Sequence, residues 1–244
     1  MANERWISLA SGGGTTFEQM AIAIKDGRVK EIVPAGLIAS KDNIEAIKRA
    51  KALDIPHAVV DPRDFLKPNG RVDRIAYGDK LWQVAHDQFG ATFFTQNGHL
   101  PLTPTNFIQR MQEFGIGGFN QHPGSPIDFG GRGMYGKRVH AAAIHFLRRT
   151  KGEMFVTPVV QKVAPEVDAG VVVNSSRVAV LDSDEYDDLQ ERVLPFEHSL
   201  NIQLLKDISS GNVVEQPMSS ILKPGEEVYL QQAKEAAILL IPAD

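Results

Sequence analysis

Asn120 and His122 lie two residues apart in the stretch Gly118-Phe119-Asn120-Gln121-His122-Pro123-Gly124. In an extended segment, residues i and i+2 point to the same side, so this stretch presents an amide and an imidazole together. The asparagine NH2 is a donor at every pH, while histidine titrates near neutrality and can take or give a proton. That pairing suits acid–base chemistry beside a fixed hydrogen-bond donor. Pro123 has no N–H for a sheet ladder, so the strand is predicted to end at or before it. Taken alone, His122 fits a packed structural histidine as well as a catalyst.

The elements before this stretch are those that would position it. Trp6 to Ala10 is a short apolar run of strand length, and Ser11-Gly12-Gly13-Gly14-Thr15-Thr16 breaks it. Phe17, Met20, Ala21 and Ile24 then follow helical spacing. Strand, glycine turn and helix open a β-α-β unit whose free amides can hold an anion. The turn lacks the lysine of a P-loop, and Phe17 stands where the dinucleotide fingerprint needs its third glycine. It is either a packing turn or a phosphate cradle with Thr15 and Thr16 adding hydroxyls. Ile32 to Ser40 is predicted as a strand, 44–53 as a helix and 55–60 as a third strand. Strands alternating with helices imply an α/β fold with a mainly parallel, helix-covered sheet. Residues 61–78 are polar with two prolines and two glycines and are predicted as a long loop or lid. Residues 79–89 return to helical period, with His86 as a surface or packing residue.

Residues 91–95 are predicted as a strand, 96–104 as an irregular loop and 105–114 as a short helix leading to the Asn120–His122 strand. Parallel sheets bind ligands at the carboxyl ends of their strands. The glycine turn, the Gln96–Pro104 loop and Asn120–Pro123 all fall there. Residues 123–138 are rich in glycine and are predicted as a surface loop. Its Arg132, Lys137 and Arg138 either face an anionic substrate or form a solvated basic turn. Residues 139–150 are helix-like. His140 and His145 do not share a face and no His-Glu-x-x-His occurs, so no metal is assigned. A strand over 154–163 is interrupted at Pro158 and Gln161. Residues 164–170 form a turn in which Asp168 is an ordinary turn residue or a catalyst. Further strands follow at 171–173 and 178–181. A helix is predicted from about Asp182 to Ile208, kinked at Pro195. The tail, 211–244, is expected as short strands and a small helix on the edge.

Composition narrows the function classes. The 244 residues are 43% hydrophobic and 23% charged, with no cysteine and a net charge of -4. Thiolate catalysis, disulfides and cysteine-ligated metals are excluded. Nucleic-acid binding gains no electrostatic support. No signal peptide is visible, and no apolar run approaches the ~18 residues of a membrane span. The expected setting is cytoplasmic, with no nucleic-acid or membrane partner, and a homodimer is left open. Residues 1–210 are expected as the catalytic domain and 211–244 as an extension packed on it.

The ordered set of motifs resembles the glycinamide ribonucleotide formyltransferase family. Asn120-Gln121-His122-Pro123 is similar to that family's Asn-Ile-His-Pro. Glu166-Val167-Asp168-Ala169-Gly170 is similar to its acidic-x-Asp-x-Gly, and Arg192-Val193 with Glu197-His198 to its site-closing helix. The resemblance covers roughly Ile7 to Ser210. It implies a formyltransferase fold with a Rossmann-like N-terminal half. It implies transfer of a formyl group from 10-formyltetrahydrofolate, a co-substrate, to a primary amine that carries a phosphate, glycinamide ribonucleotide in purine biosynthesis being the default. Asn120 would hold the tetrahedral oxyanion, and His122 would move protons directly or through a water. Asp168 would orient the imidazole, stabilise its charged form or anchor that water.

By the same resemblance, Gly12, Gly13, Gly14, Thr15 and Thr16 would take the substrate phosphate and Glu197 a substrate hydroxyl. Gln96, Asn97, His99 and Leu100, with Val163, Ala164 and Glu166, would frame the folate. The chain departs from the family pattern in places. Gly14-Thr15-Thr16 replaces Gly-Ser-Asn, Gln161 stands where a second histidine is usual, and Gly124-Ser125-Pro126-Ile127 replaces Ser-Leu-Leu-Pro. A hydrolase releasing formate from the same folate, a transferase for another sugar or nucleotide amine and, more distantly, a non-catalytic nucleotide-binding protein remain open readings.

Overall fold

A computed structural model describes residues 4–242. Its contacts divide the chain into two units. The first holds the residues up to Asn120 together with Lys162–Pro165 and Asn201–Val213. The second holds Gln121–Gln161, Glu166–Leu200 and the residues from Val214 onward.

The first unit is built from β-α repeats. Strand β1 (Glu4–Ala10) leads through the glycine turn into α1 (Thr15–Lys25), then β2 (Ile32–Ala39), α2 (Glu45–Ala52) and β3 (His57–Val59). Helix α3 (Arg74–Trp82) is followed by β4 (Phe93–Gln96), α4 (Thr105–Phe114) and β5 (Gly117–His122). β1 pairs in parallel with β2 and β4, β2 with β3, and β4 with β5. Ile7, Leu9, Ile38, Phe94, Phe107 and Met111 are buried in its core. These residues come from strands and helices alike, as expected of a sheet covered by amphipathic helices.

The long loop expected over 61–78 is largely structured. Pro62–Phe65 forms a 3-10 turn, Leu66 bridges to Val72, and α3 starts at Arg74. Asp73 starts that helix by accepting from the Ile75 and Ala76 amides, a cap that satisfies free N-terminal donors. Gly78 is no breaker here, because it sits against Asn106 of α4 where a side chain would collide. A π-helical segment, Gln83–Gln88, continues α3. His86 in it stacks on Trp82 and meets Phe114 edge-on, a packing residue as read.

In the second unit, α5 (Pro126–Phe129) is a short helical turn inside the expected 123–138 loop, and α6 (Lys137–Thr150) starts two residues earlier than its apolar spacing suggests. Pro158 divides the next run into β6 (Phe155–Val156) and β7 (Val159–Lys162). β8 (Val172–Ser175) runs antiparallel to β7, and β9 (Val178–Ala179) antiparallel to β6. Helix α7 (Tyr186–Ser209) contains Pro195, and its residues beyond Leu200 belong to the first unit. The tail departs from expectation: among the described residues its strand content is a single bridge from Gln216 to Val172, and its helix α8 (Glu227–Leu240) is long. Leu230, Ala233 and Ala237 recur on one face of α8 and bury against the α6 core. That apolar stripe, more than local propensity, makes the helix worth forming.

The strand order β3-β2-β1-β4-β5-β7-β8 gives a seven-stranded, mostly parallel sheet flanked by helices. Among the described residues no helix is long and apolar enough to cross a membrane.

Candidate active site

β5 ends at His122, the residue before Pro123, as the proline requires. His122 is 3% exposed. Its Nδ1 lies 2.8 Å from the Gly124 carbonyl. A carbonyl only accepts, so this contact fits the tautomer with the proton on Nδ1 and the lone pair on Nε2, the Gly124 amide lying farther from Nδ1 at 3.4 Å. That Nε2 is buried, has no hydrogen-bond partner among the described residues, and faces Asp168 Oδ2 at 3.8 Å. The separation is too long for a direct hydrogen bond and short enough for the carboxylate to stabilise a proton arriving at Nε2.

Asp168 sits in the connection between β7 and β8, which are antiparallel. A hairpin-like connection thus places it. Its backbone has φ 55, a left-handed conformation that costs a non-glycine residue on the order of 1 kcal/mol. Two donors hold the side chain in return: the Gly131 amide gives Oδ2 a 2.8 Å bond, and Gln161 Nε2 gives Oδ1 a 3.1 Å bond. From the sequence, Gln161 was noted as a break in the 154–163 strand and as a departure from the family pattern. Its Nε2 is committed to Asp168, which leaves its buried Oε1 without a partner among the described residues. His140 is almost fully buried, and desolvation, with a smaller contribution from the His122 charge, pushes its pKa down to about 4. It is neutral at physiological pH. Asp168 is flanked by Glu166, exposed in the same loop.

Glu197, on α7, is also in the second unit and 6% exposed. Burial raises its pKa to about 7, and a hydrogen bond from the Gln121 side chain opposes the rise. Near neutral pH the carboxyl therefore exists in both protonation states. Five residues upstream, Arg192 binds the buried Asp184 carboxylate and the Ala179 carbonyl. Its guanidinium holds the Asp184 carboxyl below the usual carboxylate range, so Arg192 ties α7 to the strand preceding it. Arg138 likewise resolves neither as a ligand-facing nor as a solvated residue. It is buried, donating to the Ile241 and Gly133 carbonyls at 2.7 and 3.0 Å. Lys137 pairs with Asp187 at 2.6 Å.

The first unit gathers the other predicted site residues. Gly12 and Gly13 are exposed, and Gly14 caps α1 with φ 72. A Cβ on Gly14 would meet the Ala46 Cβ at 2.5 Å, so the turn requires glycine there. No side chain caps α1, and the amides that open the helix are those that Thr15, Thr16 and Phe17 supply. The Gln96–Leu100 loop lies against this turn: Ser11 N donates to the Gly98 carbonyl at 3.0 Å and Leu100 N to Ser11 Oγ at 2.9 Å. Asn97 is buried. It accepts from Ser8 and Thr95 hydroxyls and donates to Asn201, so its side chain braces the loop from inside. Gln96 donates to Thr103 Oγ1 and is the register partner of Asn120 on the adjacent strand. Both ring nitrogens of His99 are enclosed, and burial depresses its pKa to about 4. Val163 N donates to the Gly118 carbonyl at 2.7 Å, which sets Val163 and Ala164 beside β5.

Arg49 was not foreseen. Its Nε donates to the Gly13 carbonyl at 3.0 Å, and its guanidinium pairs with Glu18. Ala46 and Arg49, one helical turn apart on α2, both touch the glycine turn, and only the packing of α2 reveals this. Among the described residues no group of three His, Asp or Glu could hold a metal ion.

A formyl transferase model matches residues 4–205, most of the chain. The chain belongs to the formyl transferase family. Within it, a phosphoribosylglycinamide formyltransferase from Arabidopsis thaliana (chloroplastic) is 29% identical over 208 residues, covering 83% of this chain and 64% of the plant protein. The counterpart from Vigna unguiculata is 30% identical over 204 residues, covering 84% and 60%. The chain thus spans less than two thirds of the length of these relatives. A phosphoribosylglycinamide formyltransferase from Dictyostelium discoideum is 24% identical, covering 83% of this chain and 96% of its own. A solved structure, glycinamide ribonucleotide transformylase 1 from Symbiobacterium toebii, superposes with a TM-score of 0.72 at 20% identity, covering 87% of this chain and 91% of that one. This formyl transferase family member therefore has the fold that the motifs implied.

Proposed function

We propose that this chain transfers a formyl group from 10-formyltetrahydrofolate to the primary amine of a phosphorylated small molecule, with glycinamide ribonucleotide as the acceptor. The observation that carries this reading is the buried His122–Asp168 pair, in which Nδ1 is committed to Gly124 and the bare Nε2 faces a carboxylate. The family and the names of the relatives supply the acyl group and the acceptor. Residues 1–210 would carry the reaction and 211–244 would extend that domain, in the cytoplasmic setting read from the sequence.

In this reading the amine nitrogen attacks the formyl carbon, a C–N bond forms and the carbonyl electrons move to oxygen. The Asn120 NH2 donates to that oxyanion, an effect worth on the order of 3 kcal/mol. The amine loses a proton to His122 Nε2, and Asp168 stabilises the resulting imidazolium. The imidazolium then gives that proton to the folate nitrogen as its bond to the formyl carbon breaks, and the oxyanion collapses to the new amide. The amides opening α1 hold the substrate phosphate, with Thr15 and Thr16 beside them. Glu197 accepts from a substrate hydroxyl. Gln96, Asn97, His99, Leu100, Val163, Ala164 and Glu166 frame the folate.

Incubating the protein with 10-formyltetrahydrofolate and a panel of phosphorylated and sugar amines, and following tetrahydrofolate release, tests the reading. Release that depends on glycinamide ribonucleotide supports it. Release at the same rate without any amine identifies a hydrolase, and no release with any acceptor overturns the transfer.

A further inference from the structure

The family match ends at residue 205, yet the chain beyond it reaches the candidate site. Lys234, on α8, donates from Nζ to the Gly130 carbonyl at 3.0 Å. The very next amide, Gly131 N, donates to Asp168 Oδ2 at 2.8 Å. This carbonyl and this N–H belong to one peptide unit, which is planar and trans, so they point in opposite directions along one line. The lysine at one end and the carboxylate at the other are therefore joined through a single rigid group.

A peptide between two glycines is the one most free to rotate, since neither neighbour carries a Cβ. Gly131 has φ 106, outside the range most residues accept. Something must hold this peptide if its N–H is to point steadily at Asp168. The half-buried Lys234 ammonium does so from outside, and by polarising the carbonyl it also strengthens the N–H as a donor. The surrounding loop is tied down by the same tail. Asp128, fully buried, accepts from Ser220 Oγ at 2.5 Å and from Ile221 N at 3.3 Å. Arg138 donates to the Ile241 carbonyl at 2.7 Å. Desolvation lowers the Lys234 pKa, while the Asp128 and Asp168 charges oppose that shift, so its ammonium lies within electrostatic range of both carboxylates.

We propose that Lys234 is a positioning residue for Asp168, acting through the Gly130–Gly131 peptide. The role rests on the functional reading above, in which Asp168 serves His122. The test compares the unaltered protein with Lys234→Met, which keeps the stem and removes the donor, and Lys234→Arg, which keeps a cationic donor. The Gly131 amide proton is followed by NMR beside the kcat and KM of formyl transfer and the unfolding midpoint. Removing a charge-assisted hydrogen bond should move the Gly131 amide upfield and lower kcat about 10-fold, with KM for the formyl donor nearly unchanged. Lys234→Arg should restore both. An unmoved Gly131 resonance in Lys234→Met overturns the proposal, as does a moved resonance with unaltered kcat. If Lys234→Met does not fold, Lys234→Leu, which also lacks a donor, supplies the same two readings. Absence of formyl transfer in the unaltered protein counts against the functional reading alone, because the Gly131 resonance still decides whether Lys234 holds this peptide.

Discussion

The first unit presents main-chain amides at its glycine turn; the second presents a buried imidazole beside a carboxylate. Around Gly12–Thr16 the donors are main-chain N–H groups at the start of α1, and their direction depends on backbone shape. Around His122 the groups proposed to react are side chains, each oriented by a bond from elsewhere: Nδ1 by Gly124, Asp168 by Gly131 and Gln161. A site of the first kind tolerates changes of side chain and is broken by an added Cβ. A site of the second kind tolerates changes of the surrounding loop and is broken by an isosteric swap. This explains how Thr15-Thr16 can stand where Ser-Asn is usual, since every residue but proline brings the same amide.

The contrast is sharpest in the second unit. His122→Ala and Asp168→Asn should each reduce kcat by at least ~100-fold, with little change in unfolding midpoint for the asparagine variant. Steady-state tetrahydrofolate release measures this, and wild-type rates in both variants would remove the pair from the mechanism.

Glu197 tests whether a buried carboxyl in that unit is there at a cost in stability. Its folded pKa of about 7 lies above the unfolded value of 4.5. The folded state therefore binds the proton more tightly. Its stabilising effect is complete below pH 4.5 and is lost as pH rises through 7, a swing of about 3 kcal/mol from this group. Glu197→Gln should flatten stability across that window and leave the variant more stable than the parent at pH 8. Urea unfolding at pH 5, 6, 7 and 8 reads the slope. His140 runs the other way: its folded pKa of about 4 lies below 6.5, so its contribution is lost as pH falls from 6.5 to 4. The Glu197→Gln comparison with the parent cancels it.

For the first unit, Gly14→Ala should destabilise the fold by about 2 kcal/mol or more, because it combines a left-handed backbone with a clash against Ala46. Thr15→Ala at the adjacent position should change stability by about 0.5 kcal/mol or less, and KM for the phosphorylated amine only a few-fold. Denaturant midpoints and acceptor KM values separate the two. If Thr15→Ala proves as damaging as Gly14→Ala, the turn recognises its ligand through side chains and the contrast between the units fails.

Much of this was legible in the chain itself. Alternating apolar runs and helical stripes set the β-α repeats, and α4 was delimited to the residue because Pro104 precedes it and Gly115 follows. Asn120 and His122 drew attention as an amide and an imidazole two residues apart, whereas Asp168 by itself read as an ordinary turn residue or a catalyst and was joined to them by the family resemblance. What remained hidden depends on packing. Asp73 caps a helix inside an apparent loop, and Gly78 reads as a breaker until Asn106 is seen against it. Asn97 looks like a loop residue and is a buried brace. The direction of β8 could not be read, because a turn of that length joins antiparallel strands as readily as it precedes a crossover. Arg49 and Lys234 carry no local signal, and Gln161 shows only as a polar break in a strand, with nothing to say that it holds Asp168. Sequence determined which side chains and which periodicities were available, since those are properties of neighbours along the chain. Only the tertiary structure decided which peptide each charge would hold, since hydrogen bonds act over a few ångströms between residues that are scores of positions apart.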